Sequence, residues 1–116
     1  MLVGVPIDAD AGLDSPVCGH FGHAAFYAFV DSENLECTIV PNGSSHQGGT
    51  KLPPEWLSER GVEILLCQGL GRRAIQLCEE FGIAVYLGRE RTVREFLAAL
   101  KENRVQSASL EDGCAH

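Results

Sequence analysis

Residues 61–88, GVEILLCQGLGRRAIQLCEEFGIAVYLG, decide the fold class. Val62 to Cys67 is a β-branched and apolar run bounded by Gly61 and Gly69, which predicts a buried strand. Apolar residues then recur at Ala74, Ile75, Leu77, Cys78 and Phe81, the spacing of one helical face. A helix is therefore expected over residues 71–81, with Gly82 as its cap. Ile83 to Leu87 reads as a further strand. Strand, helix and strand in that order imply parallel pairing through a right-handed crossover. Beyond them, Thr92 with Glu95 three residues later has the form of a capping box, and Val93, Phe96, Leu97 and Leu100 form the apolar stripe of a last helix.

Upstream the pattern is different. Leu2 to Ile7 predicts a short buried strand, with Pro6 near its end or at an edge. Residues 8–23 are rich in Asp, Gly, Ser and Pro and read as a loop, long enough to be functional or disordered. Ala25 to Val30 and Leu35 to Val40 read as two strands joined by the turn Asp31-Ser32-Glu33-Asn34, an antiparallel hairpin. A Gly-rich loop follows over 41–52, and Pro53-Pro54 suits the start of a short helix ending near Gly61. The whole predicts one α/β domain, a five-stranded mixed sheet with helices on its faces, over residues 1–102. Residues 103–116 read as a polar tail with little to bury.

A chain of 116 residues, 45% hydrophobic, can bury a core without disulfide staples. Its net charge of −7 argues against nucleic acid or an anionic membrane as partner. No apolar run approaches the roughly 20 residues of a membrane span. The opening Met1-Leu2-Val3-Gly4 carries no basic region of the secretory kind. With five cysteines in no scaffold-like spacing, a reducing cytoplasm is the expected location.

Two segments carry donors for soft and borderline metals: Cys18-Gly19-His20-Phe21-Gly22-His23, and Cys114-Ala115-His116 at the end of the chain. Cys18, His20, His23, Cys114 and His116 are the candidate metal ligands if the fold brings the tail to the loop. Their spacing matches no standard zinc module, and solvated loop histidines with a loose tail are the plain alternative. His46, alone, reads as a surface histidine. Cys37, Cys67 and Cys78 read as small core residues. Gly69-Leu70-Gly71-Arg72-Arg73 joins a strand to a helix, a natural anion site, although a bland turn fits as well. It is neither a dinucleotide fingerprint nor a phosphate loop. No catalytic constellation is visible. Asp8 and Asp10 follow the first strand, but later strands end without the carboxylates a metal-dependent hydrolase needs.

The order of several motifs resembles the dinitrogenase iron–molybdenum cofactor biosynthesis family. They are the loop running into His20-Phe21-Gly22 and an aromatic strand, the segment His46-Gln47-Gly48-Gly49, Gly69-Leu70-Gly71-Arg72-Arg73-Ala74, and Phe81-Gly82-Ile83-Ala84-Val85-Tyr86. The resemblance spans residues 1–102 and implies a ribonuclease H-like topology without nuclease chemistry: strand, hairpin, then helix–strand–helix–strand–helix. It implies a non-enzymatic binding or carrier protein for a metal or an iron–molybdenum-type metal–sulfur cluster. His20 and His46 then match positions of the cluster-binding face, and Gly22, Gly49, Gly69 and Gly71 match the family's glycines; with Arg72 of the strand–helix turn they make up the expected cofactor-binding side. Cys18 and His23 stand where the family more often has Ser and Arg, which leaves open a single transition metal such as Zn or Fe. The expected partner is a cofactor-maturation protein, met by a monomer or weak dimer through its acidic exterior. The alternative is a small regulatory or interaction domain with no metal.

Overall fold

The computed structural model describes residues 1–43 and 52–108. The sheet is built from β1 (Leu2–Ile7), β2 (Phe26–Asp31), β3 (Cys37–Pro41), β4 (Ile64–Cys67), β5 (Ala84–Leu87) and β6 (Gln106–Ser107). Its strand order is β3-β2-β1-β4-β5-β6. β1 pairs parallel with β4 and β4 with β5, while β2, β3 and β6 join antiparallel. The helices are α1 (Pro53–Glu59), α2 (Arg72–Glu80) and α3 (Val93–Lys101).

The period of two along the strands divides the core. Val3, Val5 and Ile7 of β1 pack with Ala28, Val30, Leu66 and the α3 residues Val93, Phe96 and Leu97. Tyr27 and Phe29 of β2 face the other way, onto Leu57 of α1 and Ile75 and Cys78 of α2. Each large side chain fully buried in this way contributes roughly 1.5–3 kcal/mol. Gly4 makes room for the chain between α1 and β4, because a Cβ there would lie 3.3 Å from Val62 Cγ1.

One expectation needs correction. The sheet has six strands, not five: the chain past α3 pairs with β5 as β6, and Ala108 N–H donates to Val85 O at 2.9 Å. The reason is that β5 would otherwise be an edge with unpaired backbone groups. Residues 8–23 form the loop expected after β1, fastened at several points. Ile7 bridges Val17 and Pro16 bridges Thr92, and a 3-10 turn, Gly12–Asp14, packs against α3. The capping of α3 differs in detail: Thr92 Oγ1 accepts from Glu95 N–H at 3.2 Å, and its hydroxyl donates to the Glu95 carboxylate at 3.1 Å.

Candidate functional site

Because β1, β4 and β5 run parallel, the turns at their carboxyl ends share one end of the sheet, the usual ligand-binding end of such sheets. The segment leaving β1 is fastened there. Cys18 N–H donates to Pro6 O at 2.8 Å, Val17 N–H to Arg91 O at 2.8 Å, and Val93 N–H to Ser15 O at 3.1 Å. Ser15 is fully buried, and its hydroxyl accepts from Ala11 N–H at 2.8 Å. Asn42, at the exit of β3, holds the next part of the loop. Its buried amide donates to Gly22 O at 3.1 Å and to Ala24 O at 2.9 Å. Sequence reasoning missed Asn42, since Asn before Gly43 at a strand end carries only an ordinary turn signal.

Cys18 is buried, with 5% of its surface exposed. Its Sγ accepts from His20 N–H at 3.4 Å and its thiol donates to His20 O at 3.5 Å. Burial raises the thiol above its ordinary value; the His20 backbone opposes this and the Asp8 carboxylate adds to it. His20 and His23 are exposed, on a turn closed by His23 N–H donating to His20 O at 3.1 Å. Gly19 abuts the β4–α2 turn, so that a Cβ on it would lie 3.4 Å from Gln68 Oε1.

Gly22 and Gly71 border one cavity of about 180 Å³, together with Phe21, Arg73, Ala74 and Pro53. The two glycines are there for different reasons. Gly22 has φ 90°, a backbone that other residues resist. Gly71 has φ −73°, open to any residue, and a Cβ on it would meet nothing within 4 Å. Gly71 also caps α2, and this N-terminus has neither a side-chain cap nor an acidic residue in its first turn. Its unshared N–H groups and positive dipole end therefore favour an anion. Arg73, not Arg72, lines the cavity; Arg72 is exposed at the first helical position. Arg72 and Arg73 follow β4 and Arg89 and Arg91 follow β5, so four of nine Lys and Arg residues sit beyond these strands on a chain of net charge −7.

Among the described residues no three His, Cys, Asp or Glu side chains gather closely enough to hold one ion. His46, Gly49, Cys114 and His116 lie outside the described residues. Cys67 and Cys78 are fully buried core residues and Cys37 is half-buried, as expected. A larger apolar groove of about 480 Å³ lies on the α3 side of the sheet, walled by Leu13, Leu35, Leu97 and Leu100. It has no soft donor and is remote from this chemistry. No helix among the described residues is long and apolar enough to cross a membrane.

The chain is similar to the apo form of the orange protein from Desulfovibrio gigas, with 27% identity, 93% of this chain and 92% of that one covered, and a TM-score of 0.82. It is also similar to a Thermotoga protein provisionally named NifB, with 27% identity, 91% of each chain covered and a TM-score of 0.75. A protein of Methanocaldococcus jannaschii provisionally described as a dinitrogenase shares the fold at 13% identity and a TM-score of 0.71, over 94% of this chain and 95% of that one. No protein of curated function matches the chain significantly. The sequence profile described as dinitrogenase iron–molybdenum cofactor matches residues 1–103, and with the fold and its glycine turns in place the chain belongs to that family.

Proposed function

We infer that the chain is a non-enzymatic binding or carrier protein whose cargo is an anionic metal–sulfur cluster of the iron–molybdenum type. The observation that carries this reading is Gly71. Neither its backbone nor its packing calls for glycine, yet it stands bare on the wall of a cavity at a helix N-terminus. A side chain there would occupy the space of a guest. At about 180 Å³ the cavity is below the ~300–1,000 Å³ of typical ligand pockets, so it suits a small metal–sulfur unit or one edge of a larger cluster. Membership of the family supports the cargo.

Cys18, with His20 and His23, remains the ligand candidate from the first loop, Gly22, Gly69 and Gly71 remain on the binding side, and Arg73 takes the place expected of Arg72. His46, Gly49, Cys114 and His116 complete the proposed set. In this reading the N–H groups at the start of α2, Arg73 and the Cys18 thiolate share the grip on the cluster. The order β3-β2-β1-β4-β5 supports a ribonuclease H-like topology for the first five strands, within residues 1–102; residues 103–116 follow as an extension that opens with β6. Free thiols at Cys18, Cys37 and Cys78 suit a reducing cytoplasm. The acidic exterior suits a monomer or weak dimer docking on a maturation protein. The second reading is a regulatory or interaction domain without metal, in which His20 and His23 are exposed residues of a loop.

The test is anaerobic reconstitution of untagged protein with iron, sulfide and tetrathiomolybdate, followed by elemental analysis and absorption spectroscopy. The wild type is expected to retain molybdenum and sulfur with charge-transfer absorption. Gly71→Thr keeps a competent helix cap, so its stability should stay within about 1 kcal/mol of wild type while its metal content collapses. No retained metal in the wild type would transfer the case to the regulatory reading.

A further inference from the structure

Tyr27 stands at the centre of the α1 and α2 side of the core, with none of its surface exposed. Phe21 meets it edge-on with ring centroids 6.3 Å apart, and Trp56 lies 5.5 Å away. Among the described residues its hydroxyl has no hydrogen-bond partner. The Gly22 backbone comes close enough to influence the hydroxyl without reaching bonding geometry. The thiols of Cys67, Cys18 and Cys78 act on it electrostatically, and thiols are in any case weak acceptors. A buried tyrosine hydroxyl normally finds a partner, because leaving the bond unmade is costly.

The position of the hydroxyl says from where a partner can come. Phe21 and Gly22, the groups in contact with Tyr27, are walls of the cavity that Gly71, Arg73 and Ala74 close on the α2 side. One layer of loop thus separates an unused donor from a site that already favours anions. Gly22, with φ 90° and no side chain, lets the Phe21 ring turn aside while Asn42 keeps hold of the Gly22 carbonyl.

We propose that the Tyr27 hydroxyl contacts the cargo, donating a hydrogen bond to a sulfido or oxo atom of an anion seated at the N-terminus of α2 after a small displacement of the Phe21 ring. This rests on the cluster-binding reading of the same cavity. It adds to that site a group that lies on a strand, outside every loop motif.

The experiment compares wild type, Tyr27→Phe and Tyr86→Phe; the last alters the other tyrosine, on the α3 side of the sheet. Two quantities are measured: the thermal midpoint without anion, and the affinity for tetrathiomolybdate and for molybdate, read by quenching of Trp56, the one tryptophan. Tyr27→Phe should melt at the wild-type temperature or higher, since it deletes an unsatisfied group, yet bind tetrathiomolybdate about ten-fold or more weakly. Tyr86→Phe should bind as wild type does. Equal affinity in Tyr27→Phe and wild type overturns the proposal. So does a lowered midpoint of anion-free Tyr27→Phe, the mark of a hydroxyl already bonded in the free protein. If the wild type binds neither anion, the cargo reading falls and the hydroxyl's role falls with it; if the wild type binds and Tyr27→Phe matches it, only the hydroxyl's role falls.

Discussion

At the scale of single residues, Asn42 and Cys18 shape the first loop in different ways. Asn42 spends its amide hydrogens on the carbonyls of Gly22 and Ala24, 20 and 18 residues away in the chain. Asn42→Ala leaves both carbonyls without that donor, and a loss of about 2–3 kcal/mol in urea unfolding is expected, together with faster amide exchange across residues 20–25. Cys18 brings a buried thiol to the same loop. Cys18→Ser should strip most of the retained metal, whereas Cys78→Ser, deep under α2, should lower stability by about 1–3 kcal/mol and leave metal content close to wild type. Equal metal in the two variants would remove Cys18 from the ligand set. Cys18 can be proposed from the sequence because its chemistry resides in its residue type. Asn42 cannot, because its role exists only once β3 has brought it beside Gly22.

At the scale of elements, one device ends all three helices. After α1, Gly61 has φ 84°, its N–H donates to Ser58 O, and Val62 N–H donates to Leu57 O. After α2, Gly82 at φ 75° donates to Glu79 O and Ile83 N–H to Cys78 O. After α3, Asn103 at φ 59° donates to Leu100 O and Arg104 N–H to Ala99 O. Each is a Schellman turn that reverses the chain toward the sheet. The first two were legible because glycine announces the left-handed residue. The third was hidden by asparagine, so β6 was read as tail. Asn103→Ala should cost about 1 kcal/mol or more, because alanine resists a positive φ, while Asn103→Gly should cost nothing or stabilise slightly. Denaturant midpoints of the two variants check this; a harmless alanine would mean that the turn contributes nothing to holding β6.

At the scale of the whole molecule, the two sides of the sheet bury thiols and a phenol whose ionisation opposes folding. Burial, then Glu79, pushes Cys78 up to about 12, and burial also raises Cys18, Cys37 and Tyr27. A thiol still protonated in the fold where the unfolded chain has lost its proton contributes stability that is complete below the ordinary value of 9.0 and is lost as pH rises toward about 12. Stability should therefore fall in that window, with Cys78 alone contributing up to about 1.4 kcal/mol per pH unit. Urea midpoints at pH 7.5, 9 and 10.5 measure it, and Cys78→Ala should flatten the profile; a flat wild-type profile would mean that the thiols ionise in place. The sequence by itself determined the parallel half of the sheet, the helices and the donors of the first loop. Those follow from local periodicity and residue chemistry, which neighbouring residues suffice to express. Only the tertiary structure decided the sixth strand, the Asn42 clamp, and the meeting of Gly22 with Gly71 in front of Tyr27. Those depend on pairing between strands far apart in the chain, which no local pattern encodes.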